Sequence, residues 1–273
     1  MDRDLSRGGL STMPFARAKL CCLRSSCAVM ILAMGAAAAP TRASEVRLAV
    51  ATNVAEVIEK FRPSFEAKTG HRLAVITGST GKLYAQIRSG APFDVLLAAD
   101  AQTPQRLVTE GEGVAESRFT YALGRLALWS ATPGLVGPDG VVTLRASKFR
   151  HLVIANPELA PYGAAARETL RAIGVWEEVQ PRIAYAQNIG HAFSMVASGN
   201  AELGLIALSA LKGSAGAIGG SSWLVPATLH APIRQDAVLL VRGQANHGAR
   251  EFLEALKAPE ARKMIESFGY ALE

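Results

Sequence analysis

From residue 44 onward, short apolar runs alternate with stretches that are apolar at every third or fourth position. "VRLAVA" (46–51) reads as a strand. "NVAEVIEKFRPSFEAKTG" (53–70) puts Val54, Val57, Ile58, Phe61 and Phe65 on one helical face, with Gly70 as the stop and Pro63 predicting a kink or break. A strand follows at 71–77, then a helix from Thr80 to Ser89 with Leu83 and Ile87 inward. Next come a strand at 93–99 and a helix at 103–111, capped by Thr103 with Pro104 at its first position. "TYALGRLALWS" (120–130) reads as one long apolar strand, and the Gly- and Pro-rich 131–143 as loop. A strand at 151–157 precedes a helix at 162–174, and "PRIAYA" leads into a helix at 188–200. A strand and turn at 201–211, a flexible loop at 213–222, a strand at 235–241 and two helices within 246–270, split at Pro259, complete the chain.

Strand–helix alternation with connections of two to six residues implies an α/β protein whose largely parallel sheets are covered on both faces. The strands at 120–130 and 235–241 are far apart in sequence and alike in character, so each is placed to cross between lobes. The expected result is two lobes joined by two crossing strands, with a ligand cleft that closes by hinge motion. The expected division is 44–124 plus 235–273 for one lobe and 125–234 for the other.

The first 43 residues stand apart. Arg3, Arg7, Arg17, Lys19 and Arg24 precede the apolar run "CAVMILAMGAAAAP", and Thr41-Arg42-Ala43 fits cleavage after Ala43. This reads as a secretory signal peptide, its apolar run being short of the ~20 residues a membrane span needs. Cys21, Cys22 and Cys27 all lie in it, so the exported chain has no thiol, disulfide or cysteine metal site. Residues 44–273 hold 23 Lys+Arg against 21 Asp+Glu, a net +2 in place of the full chain's +6. A nucleic-acid partner therefore has no support in the charge.

Four places share one design, in which a strand ends, small or polar residues follow and a helix starts. They are Ala51-Thr52-Asn53, Gly78-Ser79-Thr80-Gly81, Ala160-Pro161-Tyr162-Gly163 and Gln187-Asn188-Ile189-Gly190. Each alone is what a good N-cap looks like. Together they place unpaired N–H groups and positive dipole ends where α/β sheets bind ligands. No Lys or Arg falls within the key residues of these turns, although Lys82 lies one turn into its helix, and no Asp, Glu, His or Cys cluster gathers there. A cage of donors without acceptors suits a bare tetrahedral dianion. A ligand carrying its own proton loses about 1–3 kcal/mol by leaving that proton unpaired.

At these residues the chain resembles the periplasmic molybdate-binding proteins of ABC transporters. The likeness rests on "VATNVAEVIEKFRPSFEAKTG", "TGSTGKLYAQIRSGAPFDVLLAAD", "NPELAPYGAAARETL", "QNIGHAFSMVASGNAELGLIAL" and "FLEALKAPEARKMIESFGY". The resemblance implies a type II periplasmic-binding-protein fold that holds one molybdate or tungstate through N–H and hydroxyl donors. It places ligand positions on Thr52, with Asn53 following, on Thr80, with Ser79 beside it, on the backbone of Tyr162 and on the backbone of Ile189. It further implies a monomer in the periplasm, with permease subunits as partners and no cofactor. One position departs from the family pattern, for Ala207 stands where many members carry a tyrosine hydroxyl. Tyr162 is the expected compensation, through its N–H, its OH or both.

Other conspicuous residues have plainer roles. His71, His151, His191, His230 and His247 are scattered, with no pair at metal-ligand spacing, and read as solvated or capping residues; only His191 falls near the cleft. Asp94 and Asp100 read as turn or cap residues, and Trp129, Trp176 and Trp223 as packing. Ser194 lacks a nucleophile elbow, and "GSTGK" does not meet the phosphate-loop pattern. The chain thus reads as a binding protein and not an enzyme. The alternatives are a binding protein for sulfate or a chelated metal, and an enzyme or sensor built on the same fold.

Overall fold

Two five-stranded sheets organise the chain, which the computed structural model describes over residues 43–146, 148–213 and 218–273. Residues 1–42 of the expected leader, with its cysteines, and residues 214–217 of the expected 213–222 loop lie outside the described residues. β1 (Glu45–Ala51), β2 (Arg72–Gly78), β3 (Val95–Leu97), β4 (Phe119–Gly124) and β10 (Ile233–Leu239) form the first sheet, in the order β2-β1-β3-β10-β4. β5 (Leu126–Ser130), β6 (Leu152–Ala155), β7 (Ile183–Ala186), β8 (Leu203–Ala207) and β9 (Ser221–Leu224) form the second, in the order β7-β6-β8-β5-β9. Both follow one plan. The first three strands of each order run parallel, and the last two add in antiparallel fashion.

The apolar run 120–130 is two strands and not one. Arg125 is exposed and separates β4 from β5, which belong to different sheets. The break follows Gly124, where a Cβ would collide with the Tyr162 hydroxyl and Gln235 Nε2. The backbone leaves the sheet at the one residue type that fits there. On the return crossing, the pairing of β10 with β4 shifts between Gln235 and Asp236, leaving Tyr121 as the extra residue. Such a bulge re-aims side chains, and here it turns Gln235 toward Tyr121, with Oε1 3.0 Å from the phenol.

Other boundaries also move. α1 (Ala55–Thr69) starts two residues late, because residues 51–54 close a tight turn through Val54 N–H to the Ala51 carbonyl (3.1 Å). Pro63 does not break it. Pro63 and Glu59 are both exposed, so the Glu59 carbonyl that loses its helical donor lies on the solvent side of the helix and not in the core. α3 (Gln102–Thr109) is capped by Asp100 and not Thr103: Asp100 Oδ1 accepts the Thr103 N–H at 2.7 Å. The expected loop 131–143 runs into a helix, α4 (Gly140–Arg145), capped by Asp139, and β9 begins inside the expected loop 213–222.

Alternating side chains of the first sheet bury on opposite faces. Val46, Leu48 and Val50 meet α1, α9 (His247–Lys257) and α10 (Pro259–Ser267). Ala49 and Leu96 meet Leu83 and Ile87 of α2 (Thr80–Arg88) and Leu107 of α3. Phe252 packs edge-on against Phe61 and Phe65, at 6.2 and 5.7 Å between centroids. Burying each such ring contributes about 1.5–3 kcal/mol. The second sheet has its own core, in which Leu128, Ile154 and Leu205 pack with α5 (Pro161–Ala172) and α7 (Ile189–Ala197); the short helices α6 (Trp176–Val179) and α8 (Leu208–Lys212) follow α5 and β8 along the chain. No described helix is long and apolar enough to cross a membrane.

Candidate anion site

All six residues expected to hold a ligand line one cavity. Thr52 and Asn53 come from the turn after β1, and Ser79 and Thr80 from the start of α2. Tyr162 comes from the start of α5, and Ile189 from the start of α7. The other lining residues are Ala51, Gly78, Ala99, Ala160 and Pro161, so the wall holds no charged side chain. The cavity is only ≈ 10 Å³, about the room one water needs. Extended organic ligands do not fit such a space.

The three hydroxyls are arranged alike. Thr80 Oγ1 accepts the Ala99 N–H at 3.0 Å. Ser79 Oγ accepts the Lys82 N–H, and Thr52 Oγ1 the Gly190 N–H, both at a long 3.4 Å. A hydroxyl whose oxygen is fixed by a backbone donor keeps its own proton to give. Among the described residues nothing takes those three protons. The backbone repeats the pattern: no described residue accepts a hydrogen bond from the N–H of Asn53, Thr80, Tyr162 or Ile189. All four residues are buried, at 8%, 1%, 1% and 5% exposure respectively. Orphaned buried N–H groups are rare in folded proteins, and four facing one cavity form a ready-made set of donors.

Sequence reading missed what holds this set in place. Asn53 does not cap α1. Its Nδ2 donates to Gln235 Oε1 (2.7 Å) and to the Tyr270 hydroxyl (3.0 Å), while Tyr270 and Ser209 donate to its carbonyl at 2.7 and 2.9 Å. Gln235 Nε2 in turn donates to the Tyr162 hydroxyl at 3.1 Å. Burial pushes the phenols of Tyr121 and Tyr162 well above the ordinary range and that of Tyr270 up to about 12. All three stay neutral donors and acceptors. The signal was present in β10, where Gln235 and Asp236 interrupt an apolar run; both are buried. Gly163 is also fixed by packing, because a Cβ there would meet the Ala155 carbonyl oxygen at 2.2 Å.

Residues from the two sheets meet around the cavity. Gly81 N–H donates to the Leu159 carbonyl at 2.9 Å, and Lys82 Nζ to Gln187 Oε1 at 2.9 Å. The nearby cation is thus committed to a neutral partner. Ala207 is buried and borders an adjoining cavity of ≈ 180 Å³ together with Thr52, Asn53 and Ile189. Asn53 Oδ1, buried in the same region, has no partner among the described residues.

The histidines need a correction. His71 is not solvated but buried, and folding brings it against His247 and Glu251. Sequence spacing hid this, because His71 lies far from α9 along the chain and the partner on α9 at i+4 from His247 is a glutamate.

The profile of the bacterial extracellular solute-binding protein family matches residues 46–271. The chain is 46% identical to a molybdate-binding protein of Azotobacter vinelandii, over 90% of this chain and 97% of that one. It is 43% identical to the molybdate-binding protein of Rhodobacter capsulatus, over 92% and 97% of the two chains. The solved structure of the Azotobacter vinelandii periplasmic molybdate-binding protein superposes with a TM-score of 0.80 at 39% identity, covering 84% of this chain and 99% of that one. The two-sheet α/β architecture is therefore the two-lobed fold of these proteins, and the chain belongs to the bacterial extracellular solute-binding protein family.

Proposed function

We propose that this protein captures molybdate, and tungstate as its near-equal in charge and shape, in the cavity bounded by Thr52, Asn53, Ser79, Thr80, Tyr162 and Ile189, and delivers it to the permease of an ABC transporter. One observation carries the reading: four unpaired buried N–H groups and three hydroxyl protons surround a cavity with no charged wall. Such a set stabilises a fully deprotonated tetrahedral dianion from several sides. Among the described residues its one unpaired buried side-chain acceptor is Asn53 Oδ1, and no carboxylate lines the cavity to hold a cation. The contacts of Gly81 with Leu159 and of Lys82 with Gln187 already join the turns around the cavity, which widens from ≈ 10 Å³ to seat a tetraoxyanion.

Tyr162 contributes its N–H at the start of α5. Its phenol is held by Gln235 and serves to fix that turn in place, so the hydroxyl missing at Ala207 is not replaced by that of Tyr162. The protein acts as a carrier and not as an enzyme. It works as a monomer in the periplasm after loss of the leader at Ala43.

Titration calorimetry with molybdate, tungstate, sulfate and phosphate tests the reading. Molybdate and tungstate are expected to bind with Kd at micromolar or tighter, about −8 kcal/mol or better, and sulfate far more weakly. Equal sulfate affinity would reassign the ligand, and no binding of any oxyanion would overturn the proposal.

A further inference from the structure

We propose a second binding site, for a divalent transition-metal cation, formed by His71, His247 and Glu251. None of the three lines the anion cavity. One ligating atom from each lies within 4.8 Å of the others. His247 and Glu251 are four residues apart on α9 and share a face. His71, just before β2, supplies the third group from a different element.

The buried imidazole carries the argument. His71 is 1% exposed, yet its Nε2 has no hydrogen-bond partner among the described residues. Glu251 Oε2 is 3.1 Å away but off the direction a hydrogen bond requires. Glu251 Oε1 lies 3.2 Å from His247 Nδ1. Ligands about a tetrahedral Zn²⁺ at ~2.0–2.1 Å stand ~3.3 Å apart; the two contacts, made by different oxygens of Glu251, are near that spacing, and the set, spread over up to 4.8 Å, draws in on binding. The ring is held from behind. Phe65 stacks on it at 6.4 Å, and Gly248 seats α9 against it, since a Cβ there would meet the ring at 2.8 Å.

The other ring nitrogen completes the design. Nδ1 accepts the Ser44 N–H at 3.0 Å and lies 3.0 Å from the Ser44 hydroxyl, which donates to Asn246 Oδ1 at 2.7 Å. In the ion-free protein the ring proton is therefore on Nε2, on the side of Glu251. A cation taken by Nε2 displaces that proton to Nδ1, where the Ser44 hydroxyl accepts it once the Ser44 N–H turns away. A bound cation selects this tautomer, the arrangement in which a ligating histidine donates its second N–H. Two neutral imidazoles and one carboxylate suit Zn²⁺, with water as a fourth ligand.

The test uses the purified protein without a histidine tag, stripped by chelator, and titrated with ZnCl₂ by calorimetry and with CoCl₂ by visible absorption. The expected result is one ion per chain, a d–d absorption of four-coordinate Co²⁺ and a melting temperature that rises with zinc. His247→Ala, on an exposed side chain, and Glu251→Gln are each expected to weaken zinc binding at least tenfold and to leave molybdate affinity unchanged. Zinc binding weaker than about 1 mM, or wild-type zinc affinity in His247→Ala, would overturn the proposal.

Discussion

The N–H of Ala99 donates to the hydroxyl oxygen of Thr80 at 3.0 Å. That bond fixes the oxygen and aims the hydroxyl proton away from Ala99, toward the cavity. Thr80→Val keeps the shape, removes the donor and orphans the buried Ala99 N–H. A hydrogen bond to a charged group contributes about 1.5–3 kcal/mol, so molybdate affinity is expected to fall roughly 10- to 100-fold. Thr80→Ser is expected to stay within a few-fold of wild type. Calorimetry on the two variants decides the point, and equal losses in both would deny the hydroxyl its role.

Tyr162 and Gln235 form the support of the cage. Tyr162→Phe removes the acceptor of the Gln235 amide in a buried setting, at an expected cost of about 1–3 kcal/mol in folding stability. The N–H of residue 162 survives the change, so molybdate affinity is expected to drop less than about tenfold. Urea unfolding and calorimetry on the same preparation separate the two effects. An affinity loss far larger than the stability loss would make the phenol itself a ligand.

Gly124→Ala forces a Cβ against the Tyr162 hydroxyl and Gln235 Nε2. Overpacking of this kind costs about 1–3 kcal/mol. Because Gly124 ends β4 at the crossing, the variant is also expected to bind molybdate more weakly than Tyr162→Phe does. A variant as stable and as tight-binding as wild type would show that the crossing tolerates displacement.

The buried phenols set a pH limit. The folded pKa of Tyr270 is about 12, and an unfolded phenol titrates near pH 10. Between those values the folded state holds the proton that the unfolded state has lost. The stabilisation is therefore complete below about pH 10 and disappears as pH rises toward about 12. Urea midpoints are expected to decline above about pH 10, with a shallower decline in Tyr270→Phe. An equal slope in that variant would assign the effect to other groups.

Lys82 donates to Gln187 and does not line the cavity. Lys82→Gln is expected to change the molybdate Kd less than about fivefold, in keeping with the ~0.2–1 kcal/mol typical of exposed charged pairs. A loss of two decades or more would place a cation in the grip on the ligand.

Much of this was readable in the chain. The period-2 and period-3.6 runs located β1, β2, α2, α5 and α7, and the small and polar residues at their junctions located the four turns; the resemblance to molybdate-binding proteins picked the six residues within them. The expected lobe division falls between 124 and 125, yet the run 120–130 reads as one strand across it, because both halves are equally apolar and the partners of Gly124, Tyr162 and Gln235, are distant in sequence. Asn53 looked like a cap because its neighbours predict a helix start; its real partners, Gln235 and Tyr270, lie at the far end of the sequence. His71 and Glu251 were hidden in the same way, since only tertiary packing brings β2 and α9 together.

The most direct measurement is the anomalous signal of molybdenum in crystals of the loaded protein. One peak is expected in the cavity, with its nearest nitrogens and oxygens the backbone N–H groups of Asn53, Thr80, Tyr162 and Ile189 and the hydroxyls of Thr52, Ser79 and Thr80. A peak elsewhere, or an oxyanion held chiefly by lysine or arginine, would contradict the account.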